Sequence, residues 1–197
     1  MQRTVFASNN AGKVAEVDAL LRPVGYTVIP QSEHLVPEAD ETGLTFVENA
    51  IIKARNACAH TQLPAIADDS GLEVDALDGD PGIHSARYAG THGDDSANNS
   101  LLLAELAGVP ESERTARFRC VMVYMRHAED PAPVICQGVW EGRILDAPRG
   151  EGGFGYDPVF WVLSEGCSAA ELPADTKNRL SHRGQALRAL LDALNVT

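Results

Sequence analysis

Lysine is nearly missing from this 197-residue chain, which has three lysines against 13 arginines. Positive charge is short altogether, with 16 Lys and Arg against 28 Asp and Glu and a formal net charge of −12. So acidic a chain repels polyanions at long range, which argues against nucleic acid as a main partner. It still leaves room for a small phosphorylated ligand, provided that local cations gather and Mg²⁺ offsets nearby carboxylates. The four cysteines, Cys58, Cys120, Cys136 and Cys167, form no C-x-x-C pair, and no H-E-x-x-H motif accompanies them. A zinc site is therefore disfavoured, and the cysteines read as reduced, mostly buried thiols. No segment reaches about 18 consecutive apolar residues, and Met1-Gln2-Arg3-Thr4 leads straight into an apolar run with no signal core. The expectation is a soluble cytoplasmic protein without a membrane partner. A chain of this length buries roughly 70% of its unfolded surface, enough for a core without staples.

What is present alternates between strand and helix patterns. Thr4–Ala7 reads as a strand, Lys13–Leu21 as a helix and Tyr26–Ile29 as a strand. Thr45–His60 reads as a long helix opened by the capping box Thr45-Phe46-Val47-Glu48. Ala65–Asp68 is expected to be a short buried strand ending in two aspartates, with a separate strand over Glu73–Leu77 and a helix over Asp94–Ala107. The proline- and glycine-rich stretch Asp78–Gly93 reads as a long loop. Over Ala116–Met125, Phe118, Cys120, Met122 and Tyr124 alternate with Arg117, Arg119, Val121 and Val123, which predicts a long strand. Val134–Trp140 and Arg143–Leu145 are expected to form a hairpin turning at Glu141-Gly142. Ser181 is expected to cap a last helix carrying Ala186, Leu187, Leu190, Leu191 and Leu194 on one stripe. Helices separate the early strands and turns join the later ones, so the expected fold is α/β with a mixed sheet, flanking helices and a second lobe beginning near Arg114.

Four segments, joined by the acidic pair Asp40-Glu41, carry the chemistry. Ser8-Asn9-Asn10-Ala11-Gly12-Lys13 follows an apolar run and opens a helix, whose unpaired N–H groups suit an anion. Asp68-Asp69-Ser70-Gly71 puts carboxylates at what reads as a strand end. Successive strand residues face opposite ways, so only one of the two aspartates should serve a ligand. Asp40-Glu41 can supply the further carboxylate that Mg²⁺ needs beside substrate phosphates. Gly153-Phe154-Gly155-Tyr156-Asp157 offers aromatics for a planar base and a carboxylate for a ring N–H. Ser181-His182-Arg183 starts a helix with further free donors. The three lysines, Lys13, Lys53 and Lys177, all lie in or beside such segments, where a compact ammonium meets a phosphate. No serine or cysteine sits in a nucleophile-elbow pattern, which ranks a Ser/His mechanism low.

These residues together resemble the inosine triphosphate pyrophosphatase family, also described as dITP/XTP pyrophosphatases. The resemblance runs through Asn10–Lys13, Glu41–Ala50 with Lys53, Ala67–Leu72, Pro81–Tyr88, Gly153–Pro158 and Ser181–Gly184, in fixed order over nearly the whole chain. It implies one pyrophosphatase domain over 1–197, with a second lobe within about 114–165 and an active-site cleft between lobes. It also implies a homodimer. The implied reaction is Mg²⁺-dependent hydrolysis of ITP, dITP and XTP to a monophosphate and pyrophosphate. Carried over, Ser8, Asn9, Asn10, Ala11, Gly12 and Lys13 bind phosphate, and Asp69 is general base and metal ligand. Lys53, Ser70, Phe154, Gly155, Tyr156, Asp157, Lys177, His182 and Arg183 bind the nucleotide.

Two departures stand out. Ser8-Asn9-Asn10 replaces a Thr-Gly-Asn pattern, so Asn9 is expected to take a turn that glycine adopts freely. Asp40 stands where the family has Glu, leaving the metal to Asp40, to Glu41 or to a bridging water. A pyrophosphatase for other modified nucleotides, or a sensor without turnover, is the alternative reading.

Overall fold

The computed structural model describes residues 2–195, with only the backbone of Asn195. Met1, Val196 and Thr197 of the expected 1–197 domain lie outside the described residues. Seven strands form one mixed sheet: β1 (Gln2–Phe6), β2 (Tyr26–Pro30), β3 (Ala65–Val74), β4 (Thr115–Met125), β5 (Val134–Ile144), β6 (Phe160–Val162) and β7 (Cys167–Ser168). Their order is β2-β1-β3-β4-β5-β6-β7. β1 runs parallel to β2 and β3, whereas β6 is antiparallel to β5 and β7. The helices are α1 (Ala11–Leu21), α2 (Phe46–Thr61), α3 (Asp95–Glu105), α4 (Ala174–Leu180) and α5 (His182–Asn195). Among the described residues no helix is long and apolar enough to cross a membrane.

Two compact units divide the chain. The first takes residues up to Asp69, Cys120–Gly138 and the chain from His182; the second takes Ser70–Arg119 and Val139–Ser181. In the first unit, alternation sorts each strand between two cores. Val5, Ala7, Ala65, Ala67, Val121, Val123 and Met125 meet α2 through Ala50, Ala54, Ala57 and Cys58. Phe6, Ile66, Cys120, Met122 and Tyr124 meet α1 and α5 through Val17, Leu21, Ala186, Leu187 and Leu190. The alternation expected for β4 is therefore observed. In the second unit, Leu72, Val74, Leu102, Leu106, Phe118, Trp140, Tyr156 and Phe160 share one core. There the Phe118 and Phe160 rings lie 4.6 Å apart and Trp140 lies 5.2 Å from Phe160.

Several expectations change. Asp68-Asp69-Ser70-Gly71 is no strand end: β3 runs unbroken through all four, and Glu73 belongs to the same strand, while residues 75–77 form a 3-10 turn. Glu141-Gly142 is no turn either, since β5 passes straight through it. A Cβ at Gly142 would lie 2.4 Å from the Phe160 ring and 2.5 Å from the Trp161 carbonyl oxygen, so the glycine serves close approach of β6. The long loop over Asp78–Gly93 contains a 3-10 turn at Gly82–Arg87. Helix α4 was not foreseen, and Ser181 is the residue that divides it from α5. Thr45 caps α2 as expected, accepting from the Glu48 N–H, but the Glu48 carboxylate accepts from the Leu44 N–H and the Thr45 hydroxyl. Among the described residues the four cysteines are free thiols, and burial pushes Cys58 up to about 11.

Candidate active site

Alternation along β3 sends its two aspartates to opposite faces of the first unit. Asp68 is 1% exposed and lies on the α1 and α5 side, where Lys13 Nζ approaches its Oδ2 to 3.1 Å. Arg183, 3% exposed, donates from Nε and Nη2 to the same oxygen at 3.2 Å. Its Nη1 donates to Glu16 Oε2 at 2.6 Å. Two cations and two carboxylates thus close a neutral, largely buried network. Burial works against the Arg183 charge, but Asp68 and Glu16 hold its pKa above the ordinary value.

Asp69 lies on the α2 side. Its Oδ1 accepts from Lys53 Nζ at 2.8 Å, and Lys53 also lies 3.2 Å from Glu41 Oε1. This second group carries two carboxylates for one ammonium. Burial raises the Asp69 pKa, Lys53 opposes that rise, and Glu41 adds to it. For Lys53, burial acts downward while Asp69, Asp68 and Glu41 prevail and hold the ammonium charged. Asp69 Oδ2 is buried with no hydrogen-bond partner among the described residues. An orphaned carboxylate oxygen in a group of net charge −1 has the chemistry of a divalent-cation ligand, and Glu41 stands beside it. Asp40 is exposed, so of the two expected candidates Glu41 is the one that joins Asp69 at Lys53. Among the described residues no three acidic, histidine or cysteine side chains form a complete cage.

The loop before α1 is built by its own side chains. Asn10 caps the helix, its Oδ1 accepting from the Lys13 N–H at 3.0 Å, and its N–H donates to Ser8 Oγ at 3.2 Å. Ala11 and Gly12 follow as the helix-start donors. Asn9 does not take the left-handed turn expected of it. Its side chain donates to Glu38 Oε1 at 3.1 Å instead, and the described non-glycine residues at positive φ are Leu35, Gln62 and Asp78.

In the second unit, Asp157 is 3% exposed and its Oδ2 accepts from the Phe154 N–H at 2.9 Å and from Lys177 Nζ at 2.6 Å. The Lys177 ammonium also stands 4.5 Å from the Phe154 ring centroid, a cation–π contact. A Cβ at Gly153, where φ is +75°, would fall 2.1 Å from Asp157 Oδ2, so only glycine allows this turn. Tyr156 points into the core and its hydroxyl donates to the Ser85 carbonyl, which leaves Phe154 as the half-buried aromatic of the segment. Ser70 is half-buried in β3.

His182 is buried at the start of α5. What sets it there is Gly138 of β5, which the sequence reading missed. A Cβ at that position would lie 2.0 Å from the His182 carbonyl oxygen and 2.8 Å from the Ala186 nitrogen, so the first turn of α5 sits directly on the strand. Glu16 was missed as well, although it follows Lys13 by three residues and so shares its helix face.

A family model described as the Ham1 family matches residues 4–193, which takes in every one of these segments. The chain belongs to the Ham1 family. Among its Ham1 relatives, a protein of Thioalkalivibrio sulfidiphilus named dITP/XTP pyrophosphatase is 63% identical over 192 residues, covering 98% of each chain. A dITP/XTP pyrophosphatase of Vibrio cholerae is 58% identical over 194 residues, covering 98% of this chain and 97% of its own. The solved structure of a Ham1 protein from Coxiella burnetii superposes with a TM-score of 0.91 at 51% identity over the whole of both chains. The α/β fold with its mixed sheet and flanking helices is thus a Ham1 fold.

Proposed function

We propose that this protein is a nucleoside triphosphate pyrophosphatase that hydrolyses deaminated purine nucleotides, dITP, ITP and XTP, to the monophosphate and pyrophosphate, with Mg²⁺ as its metal. The observation that carries the reading is Asp69, a buried carboxylate with one oxygen on Lys53 and the other without a partner, in a chain 63% identical to a dITP/XTP pyrophosphatase. Asp69 and Glu41 would hold the metal, and bound Mg²⁺ would supply Lewis acidity and neutralise phosphate charge. With two protein carboxylates there, substrate phosphate and water would supply the remaining ligands, as is usual for this ion.

The chain's own residues divide the remaining work. Asp69 accepts the proton of the attacking water, a role suited to a carboxylate whose pKa burial has raised. Lys13 and the start of α1 hold the distal phosphates as leaving group. Asp68 and Glu16 take no part in chemistry; they hold Arg183 and orient Lys13. Phe154 and Asp157, with Lys177, read the base; His182 and Arg183, the latter held by two carboxylates, also bind the nucleotide. As one catalytic domain, the protein works as a cytoplasmic homodimer on a small-molecule substrate.

A nucleotide panel in ¹⁸O-water tests the proposal. Deaminated purine triphosphates should be preferred over ATP, dATP and the pyrimidine triphosphates, with label in the monophosphate alone. Label in pyrophosphate, release of orthophosphate, or a preference for a modified pyrimidine would overturn it. The acidic limb of kcat/KM should report ionisation of the base, whose pKa burial raises in the metal-free protein and bound Mg²⁺ would lower. Lys53 lowers that pKa, so Lys53→Met at fixed Mg²⁺ should move the limb to higher pH; an unmoved limb would exclude Asp69 as the titrating base.

A further inference from the structure

Four acidic and amide residues, Asp94, Asp95, Asn98 and Asn99, stand at the start and in the first turns of helix α3, and they serve three tasks within the second unit. Asp94 is the cap, its Oδ1 accepting from the Ala97 N–H at 2.9 Å. Asn98 holds the preceding segment, accepting from the Ala89 N–H at 2.8 Å. The other two, spaced i and i+4 and so on one helix face, both reach Gly155. Asp95 Oδ2 accepts from the Gly155 N–H at 2.7 Å, and Asn99 Nδ2 donates to the Gly155 carbonyl oxygen at 2.9 Å. One residue has both its peptide groups held by side chains from another element.

Gly155 needs holding. Its φ is +63° and a Cβ there would meet nothing within 4 Å, so neither side-chain packing nor chirality restricts the backbone. Asn99 accepts a cost to provide the grip. Its Nδ2 donates to both Asp95 O and Gly155 O, while its Oδ1 is buried with no partner among the described residues. Flipping the amide would set that oxygen against two carbonyl oxygens, so the orientation is fixed. The helix needs neither contact, being capped by Asp94 already.

We propose that Asp95 and Asn99 are positioning residues that fix the Gly155 peptide, and through it the Phe154 ring, for recognition of the purine base. The inference rests on the base-binding role given above to residues 154–157. An ionised acceptor on a backbone N–H contributes roughly tenfold or more in a binding constant when it is lost. Asp95→Ala and Asn99→Ala should therefore raise KM about tenfold with kcat within about twofold. They should also narrow the preference for the best nucleotide over the matching adenine nucleotide by a similar factor. Asp95→Asn, which keeps an acceptor oxygen at the same reach, should restore most of the loss. Asn99→Asp keeps the shape and removes the donor, so it should behave as Asn99→Ala even if the alanine variant folds poorly.

Amide exchange at Gly155 in the nucleotide-free protein gives a readout independent of turnover. It should quicken about tenfold in Asp95→Ala and stay slow in Asp95→Asn. Unchanged exchange would overturn the clamp, and faster exchange with wild-type KM and selectivity would overturn its part in recognition. A wild-type enzyme that does not favour deaminated purines would refute the functional reading by itself. The clamp is then judged by the same variants on whichever nucleotide the wild type binds best.

Discussion

Asp69→Asn is expected to lower kcat by about 10²-fold or more while nucleotide binding and the melting temperature stay close to wild type. The activity loss follows from removing the base and one metal-ligand charge. The small stability change follows from two opposed shifts. The pKa of Asp69 is raised above its unfolded value, so its contribution to stability is present at low pH and lost as pH rises through the unfolded value toward the folded one. A neutral Asn avoids that loss at pH 7. Lys53, whose pKa is also raised, contributes stability at pH 7 that persists until its folded pKa is passed; with Asn in place it keeps Glu41 but loses its nearest carboxylate. The two effects act in opposite directions, which keeps the expected change in melting temperature small. Parallel thermal melts and single-turnover assays check the result, and a variant that keeps more than about a tenth of wild-type turnover would remove Asp69 from the base role.

Asp68→Asn should do the reverse, with its main effect on folding. Removing one partner from a buried ion pair costs about 3–5 kcal/mol, because the other charge is left uncompensated, whereas an exposed pair contributes about 0–1 kcal/mol. Asp68 and Arg183 are 1% and 3% exposed, which places them near the first class, with Glu16 at 2.6 Å from Arg183 still offsetting part of its charge. Arg22–Asp18 at the surface belongs to the second. For a chain of this size the loss corresponds to a drop in melting temperature of roughly 10 °C. At a temperature where the variant is folded, its turnover should fall less than that of Asp69→Asn, with the effect arising through a loosened Lys13. Combining it with Arg183→Met should recover part of the lost stability, since the excess positive charge left beside Glu16 is gone. A melting temperature equal to wild type would show that the Asp68 network contributes nothing to the fold.

The opposite facing of these two aspartates was legible in the sequence, because strand alternation is a local rule that survives into any sheet. Their position was misread. Ser70-Gly71 has turn-forming composition, yet β3 continues through it, with the Leu72 N–H donating to the Ser85 hydroxyl at 2.9 Å. Neighbours distant in sequence overrode the local preference. Gly142 misled in the same way, since a glycine that admits an adjacent strand looks like one that makes a turn. Helix α4 escaped notice because seven residues give barely two turns of periodicity, although Pro173 before it and Asp175 within it were start signals. That Glu41 rather than Asp40 pairs with Lys53 lay beyond the sequence, as it depends on which side chain the irregular segment before α2 turns toward it.

The alanines at 50, 54 and 57 of α2, set against Ala7, Ala65 and Ala67 of the strands, amount to a spacer of methyl groups that fixes how far Lys53 stands from Asp69. The acidity of the proposed base is thereby written into residues that touch no substrate. A larger side chain there, as in Ala54→Val, would alter that separation and with it the proton affinity of Asp69, so the working pH of this enzyme could drift in evolution through its least reactive side chains.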